Sequence, residues 1–341
     1  MILLSYEYDF VRSKRIADGI GADLIEVKGI DFVEKERYLY LNNNLKSIAG
    51  DVVLLWSMYP NQDRAIVDCM AVLDYLKKLG RVVYVYFDYI PYFRSIGKSA
   101  KEGMYGISEM FQIGPLLKYI FDKAEGLLLY GYRPEAIAEI VEFDAEDRVE
   151  KSVGADGVVV VKDIGSDFSV SSLFVVDAFV DKIKKFLKSC VDNVVVVAPD
   201  FGSRYLCKLY AKKLGCKYSV YSAKGAKVNN VDDMYVELSK VSGKNVIVVD
   251  DIISSGGTLG RCVDAVSSLN VKDIIVVELS SVAEGVWIDK VEENKNISLF
   301  LTRRNPTIDG IVSKKVALID VDNSVIDFIA NAINHKNYIG L

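Results

Sequence analysis

From Val52 onward, short runs of apolar, mostly β-branched residues alternate with stretches whose apolar positions recur at helical spacing. Val52–Trp56 reads as a strand, and Asp63–Leu79 as a helix with Ile66, Met70, Leu73 and Leu76 on one face. Gly80 ends that helix. Arg81–Phe87 predicts a strand, Ile107–Phe121 a helix and Gly126–Tyr130 a strand. A second series follows. Val176–Ser189 is an amphipathic helix, Asn193–Ala198 a strand, Arg204–Leu214 a helix closed by Gly215, and Tyr218–Tyr221 a strand. Asn245–Val249 is a strand and Gly257–Leu269 its helix. Asp273–Leu279, Ser298–Thr302 and Val316–Ile319 are strands, and Asn323–Asn334 is a helix. Strands alternating with helices predict βαβ units, largely parallel sheets and right-handed crossovers.

The predicted fold is therefore α/β, with two similar domains whose largely parallel sheets are flanked by helices. The stretch from Glu139 to Asp167 is less regular, with an acidic patch at Glu142, Asp144, Glu146 and Asp147 and a possible added strand at Val158–Val161. The boundary is placed there: residues 1–165 form one domain, with the helix in 323–341 as a candidate addition to it, and 166–322 form the other.

One run changes the picture. Val248-Val249-Asp250-Asp251-Ile252-Ile253-Ser254-Ser255-Gly256-Gly257-Thr258-Leu259 is an apolar strand ending in two carboxylates, then hydroxyls and glycines, then a helix. Glycines let the backbone turn tightly and approach a ligand closely. Amides at a helix N-terminus, with Ser and Thr hydroxyls, suit a phosphate. Paired carboxylates suit sugar hydroxyls or a hydrated divalent metal. A ribose 5-phosphate carries both kinds of group. A lone Asp-Asp would be no more than a cap, but the order strand, acids, cradle, helix is the one a switch-point site needs.

Composition narrows the classes. The chain has 341 residues, 51% of them hydrophobic and 26% charged, as in a well-packed globular protein of two domains. A net charge of −5 argues against a nucleic-acid surface. No apolar stretch has the length of a membrane span, and the first residues lack the basic region of a secretory signal. The five cysteines have no metal-type spacing, and the odd count favours free thiols in a reducing compartment, as in a cytoplasmic protein. His335 is the single histidine, so general-base schemes that need one have little to draw on.

The residues resemble the ribose-phosphate pyrophosphokinase family, the synthetases of phosphoribosyl pyrophosphate (PRPP), and more loosely the type I phosphoribosyltransferases that share the PRPP-binding loop. Ala198-Pro199-Asp200-Phe201-Gly202-Ser203 is similar to the family's Pro-Asp-x-Gly-Gly loop. Lys224 followed by Asn230-Val231 has the spacing of its mobile catalytic loop, and Ser-Ser-Gly-Gly-Thr looks like archaeal members. In the first half, Phe32-Val33-Glu34-Lys35-Glu36 falls where the family holds adenine, Pro60-Asn61-Gln62-Asp63 opens a helix as in the family, and Arg94 takes the place of its first ATP-side arginine. The departures are Ser95-Ile96 after Arg94, Tyr130-Gly131-Tyr132 in place of an Asp-Leu-His segment, Ala226 in place of an arginine, and Ser203 in place of a glycine.

The resemblance implies transfer of the β,γ-diphosphoryl group of ATP to O1 of ribose 5-phosphate, with Mg²⁺ as cofactor. It implies that Ser254, Ser255, Gly256, Gly257 and Thr258 hold the 5-phosphate, Asp250 and Asp251 the ribose hydroxyls, and Asp200 a metal. Lys224 would neutralise the β-phosphate, Arg94 would contact ATP phosphates, Phe32 would stack on adenine, and Glu34 and Glu36 would read its edge. Such chemistry is positioning and charge neutralisation, which suits a chain almost without histidine. The family also implies a homodimer or a higher homo-oligomer. Two other readings stand beside it: a catalytically impaired relative that binds ribose phosphate and regulates or scaffolds a partner synthetase subunit, and a phosphoribosyltransferase. The cluster Tyr84, Tyr86, Phe87, Tyr89, Tyr92 and Phe93 is expected to be core and subunit interface rather than a stacking platform for bases.

Overall fold

The computed structural model describes residues 1–6, 10–45, 49–59, 61–91, 113–132, 149–153, 157–163, 168–188, 193–222, 232–253, 256–281, 291–293, 296–302 and 313–334. The chain divides into two compact units, Met1–Leu173 with Asp322–Leu341, and Phe174–Val321. Both are α/β with largely parallel sheets flanked by helices, as the alternation predicts.

In the first unit, β1 (Ile2–Tyr6), α1 (Phe10–Ile20), β2 (Asp23–Asp31), β3 (Arg37–Leu41), β4 (Val52–Trp56), α2 (Gln62–Lys78), β5 (Val83–Phe87), α3 (Gly114–Lys123), β6 (Gly126–Tyr130), β7 (Val149–Val153), β8 (Val159–Asp163) and β9 (Ser169–Leu173) come in chain order. Their sheet runs β3-β2-β1-β4-β5-β6-β9-β8-β7, parallel in its middle. An antiparallel pairing of β3 at one edge and of β7 and β8 at the other completes it. The middle strands β1, β4, β5 and β6 are buried along their whole length, because helices cover both faces of a parallel sheet. Tyr84, Tyr86 and Phe87 are buried there, as core, whereas Tyr92 and Phe93 lie outside the described residues.

The second unit holds α4 (Val176–Phe186), β10 (Val194–Ala198), α5 (Arg204–Leu214), β11 (Lys217–Val220), β12 (Asn245–Ile253), α6 (Gly257–Ser267), β13 (Ile274–Ser281), β14 (Ile297–Thr302) and β15 (Val316–Ile319). Its sheet is all parallel, in the order β11-β10-β12-β13-β14-β15. The core packs Val195, Val197, Val246 and Val248 against Leu259, Cys262, Val263 and Val266 of α6. A last helix, α7 (Asp322–Ile333), packs on α1 within the first unit. The approach is close at Gly19, where a Cβ would fall within 2.6 Å of Ile326. Arg12 of α1 is buried at the same place, with Nε donating to Asp322 Oδ1 at 2.7 Å, and Arg15 pairs with the other oxygen at 3.3 Å.

The first fifty-odd residues hold four elements that periodicity does not predict, β1, α1, β2 and β3. The first half of the helix expected at Ile107–Phe121, the acidic patch at Glu142–Asp147 and His335 lie outside the described residues.

Candidate functional site

In an open parallel sheet, ligands bind beyond the carboxyl ends of the strands, where the strand order reverses. In the second unit the chain leaves β10 toward β11 on one side and returns to β12 on the other. The reversal therefore lies between the carboxyl ends of β10 and β12. Those ends carry Asp200 and Asp250-Asp251, so the geometry brings together two segments that lie fifty residues apart.

The strand was expected to stop at Val249. It continues through both aspartates to Ile253, because pairing with β13 resumes in the same register on either side of Asp251: Asp250 is in register with Glu278, Ile252 with Ser280 and Ile253 with Ser281. Asp250 is thus a buried strand residue, 9% exposed, while Asp251 is exposed. The Asp251 amide donates to Asp250 Oδ1 at 3.1 Å. The Ser203 hydroxyl also bonds Asp250 Oδ1, and it lies 3.3 Å from Asp200 Oδ1. The Ser203 amide donates to the same Asp200 oxygen at 3.1 Å. Ser203, where the resembled family has glycine, links the two acidic segments. Gly202 beside it is tight: a Cβ there would stand 3.1 Å from Asp200 Oδ1.

Burial, and next the charge of Asp251, push the Asp250 carboxyl well above the usual carboxylate range. Glu278 was not singled out in the sequence. It is fully buried in register with Asp250, and neither of its oxygens has a hydrogen-bond partner. Burial first, then Asp250 and Asp251, hold its carboxyl well above the ordinary value. The one signal available in the sequence was a charged residue inside the apolar run Ile274–Leu279.

After β12 the loop enters α6 through Gly256, which takes φ 67°, the left-handed conformation that glycine adopts without steric cost. Gly257 and Thr258 form the first turn of α6, and Arg261 reaches back to Thr258 Oγ1 at 3.4 Å. Arg261 is a cation beside the turn that sequence reasoning missed. Ser254 and Ser255, assigned to the same cradle, lie outside the described residues, as do Lys224 and Arg94.

In the first unit the equivalent reversal lies between β1 and β4. There Tyr6 stacks on Trp56 with ring centroids 4.0 Å apart, and the Tyr6 hydroxyl bonds Asp68. Arg37 Nε sits 3.0 Å from Asp68 Oδ2. Phe32, Glu34 and Glu36 lie in the turn between β2 and β3, closed by Phe32 N–H to Glu36 carbonyl at 2.8 Å and Lys35 N–H to Phe32 carbonyl at 3.0 Å. All three are exposed, Phe32 by 49%. Tyr132, in the place of the family's histidine, donates its hydroxyl to the Ile90 carbonyl at 3.2 Å and accepts from the Ile90 amide at 3.0 Å.

Among the described residues no group of three or more His, Cys, Asp or Glu side chains is placed to hold a metal ion. Mg²⁺ takes one or two carboxylates and completes its shell with water and substrate phosphates, and the exposed Asp200 fits that lesser demand. The described cysteines Cys69, Cys207, Cys216 and Cys262 are free thiols, and burial raises the Cys216 thiol to about 11. No helix among the described residues is long and apolar enough to cross a membrane.

Residues 169–292 match the phosphoribosyl transferase domain family. The chain is 25% identical over 319 residues to the ribose-phosphate pyrophosphokinase of Sulfolobus acidocaldarius, covering 92% of this chain and 94% of that one. It is 34% identical over 128 residues to the pyrophosphokinase of Pyrococcus abyssi, covering 37% and 44%. The solved phosphoribosylpyrophosphate synthetase of Mycobacterium smegmatis has a like fold, with TM-score 0.72 at 17% identity over 98% of this chain and 99% of that one. The resemblance drawn from the motifs thus extends along nearly the whole chain, to a ribose-phosphate pyrophosphokinase that it matches at 25% identity.

Proposed function

We propose that the chain is a ribose-phosphate diphosphokinase, moving the diphosphoryl group of ATP to O1 of ribose 5-phosphate to give PRPP and AMP. The observation that carries this reading is the strand reversal in the second unit. It sets Asp250 and Asp251 beside a glycine-led helix N-terminus, with Asp200 linked to Asp250 through Ser203.

The acidic strand end accepts hydrogen bonds from the sugar hydroxyls. The run Ser254 to Thr258 is assigned to the 5-phosphate through backbone amides and hydroxyls, and the dipole of α6 favours an anion there. Asp250 is aimed by the Asp251 amide and the Ser203 hydroxyl, so its orientation is set before the sugar arrives. For ATP we assign Phe32 to stack on adenine, Glu34 and Glu36 to its edge, and Arg94 to the phosphates. Lys224 neutralises the charge that builds on the transferring group. Mg²⁺, held through Asp200, supplies further neutralisation of phosphate charge when bound. The enzyme is proposed to act in the cytoplasm as a homodimer or higher homo-oligomer.

A second reading has a specific observation in its favour. Tyr132 has its hydroxyl bonded to the Ile90 backbone, and a phenol is a poor metal ligand at neutral pH. With Ala226 and Ile96 in place of charged residues, the chain would bind ribose phosphate and regulate a partner synthetase subunit. AMP release from ATP, ribose 5-phosphate and Mg²⁺ separates the two. AMP formed in proportion to protein supports the synthetase. No AMP at high protein concentration, with ribose 5-phosphate still raising Tm, overturns it in favour of the regulatory relative.

A further inference from the structure

Glu278 has no place in the chemistry above, yet it is buried on the strand beside Asp250. It is in register with Asp250 on the adjacent strand. Residues paired across a parallel ladder point to the same face, so both carboxyls stand on one side of the sheet. Glu278 is 0% exposed, and neither oxygen has a hydrogen-bond partner. A carboxyl in the middle of a valine-rich strand is strongly destabilising as an unpaired ion, so such a position normally holds an apolar side chain.

Building on the ribose-phosphate reading of the site, we propose that Glu278 is a positioning residue, whose carboxyl turns to donate a hydrogen bond to Asp250 and so fixes the face that Asp250 presents to the sugar. Two neighbouring buried carboxyls cannot both be charged, so one keeps a proton. Asp250 is the one equipped to ionise, because the Ser203 hydroxyl and the Asp251 amide both donate to it. Glu278 has no such donors and therefore keeps the proton, which makes it a donor in its turn. Among the described residues, the other charged groups that act on the pair are acids: Asp251 acts on Glu278, and Asp251 and Asp200 act on Asp250. The Cys262 thiol of α6 stands in the same field and is held protonated by burial, Asp250 and Asp200. Among the described residues, no cation belongs to the charges that shift either carboxyl. With three donors on Asp250, its remaining acceptor positions are directed rather than left to rotate.

The test uses the whole chain and two substitutions. Glu278→Gln keeps a donor of the same length, and Glu278→Leu keeps approximate volume without one. Calorimetric affinity for ribose 5-phosphate should stay within about threefold of wild type in the Gln variant and fall at least tenfold in the Leu variant. Wild-type affinity in the Leu variant, or equal losses in both, would overturn the proposal. An infrared measurement on the ligand-free protein decides independently of any ligand. A protonated-carboxyl carbonyl band should be present at neutral pH in wild type, absent in Glu278→Gln, and shifted in Asp250→Asn. A wild-type spectrum without that band overturns the pairing. If wild type fails to bind ribose 5-phosphate while the band behaves as stated, the functional reading fails and the carboxyl pair stands. If the Leu variant does not fold, the Gln variant and the spectra still decide between pairing and its absence.

Discussion

Asp250 and Asp251 are adjacent in sequence and differ in almost every physical respect. Asp250 is enclosed, bonded by a hydroxyl and an amide and crowded by acids, whereas Asp251 is exposed. The exposed one stands where a sugar can reach it. Asp251→Asn should therefore weaken ribose 5-phosphate binding more than tenfold in calorimetry, and unchanged affinity would remove it from the site. Glu278 gives a second expectation. In the unfolded chain it ionises near pH 4, while in the folded chain burial and two aspartates raise it well above that. Above the unfolded value, and up to the folded one, the native state binds the extra proton. Stability from this group therefore declines as pH rises through that window. Glu278→Gln removes the decline, so its Tm should gain on wild type between about pH 5 and about pH 8. A constant difference across those values would mean that Glu278 ionises normally when folded.

At the scale of elements, the turn into α6 depends on one dihedral angle. Gly256 at φ 67° admits a side chain only with strain of about 1–2 kcal/mol, and the strain falls on the amides assigned to the phosphate. Gly256→Ala should lower affinity for ribose 5-phosphate and for inorganic phosphate together, by about tenfold, which competition binding would read. A loss confined to the sugar ligand would shift the phosphate contact elsewhere. This element was legible in advance because glycines, hydroxyls and acids each have a local reason to stand where they do. The strand before it was legible too, except for its end. Nothing local shows that Asp250 to Ile253 stays in the ladder, since that depends on β13 alongside. α1 was illegible for a related reason. Its buried face carries Arg12 and Ser13 with Ile16, Ala17 and Ile20, so two of the positions that reveal a helix are polar. They are buried because Arg12 meets Asp322 and because Ser13 Oγ lies 2.7 Å from Ser5 Oγ, and neither partner can be guessed from spacing. Glu278 hid in the opposite way, as one acid inside an apolar strand that periodicity treats as noise.

Over the whole molecule, the first unit is not a continuous piece of chain. It takes Met1–Leu173 and then Asp322–Leu341, with the second unit inserted between. Arg12 and Asp322 form the polar clasp of that arrangement, both buried and 2.7 Å apart. Removing one partner of a buried pair leaves the other uncompensated, at a cost of roughly 3 kcal/mol or more. Arg12→Leu should therefore lower the stability of the first unit by about that amount in denaturant melts. A loss below about 1 kcal/mol would show that Arg15, 3.3 Å from the other Asp322 oxygen, suffices alone.

The same discontinuity sets an order of events during synthesis. β1 and α1 leave the ribosome early, but the helix that covers α1 at Gly19 is made only after the entire inserted unit. At roughly 5–20 residues per second, that face of α1 waits some tens of seconds for its cover. The inserted unit meanwhile has every strand of its own sheet in hand. The unit that begins translation first is thus the one completed last, and a nascent chain stalled before Asp322 would expose that face of α1 to whatever chaperone is nearby.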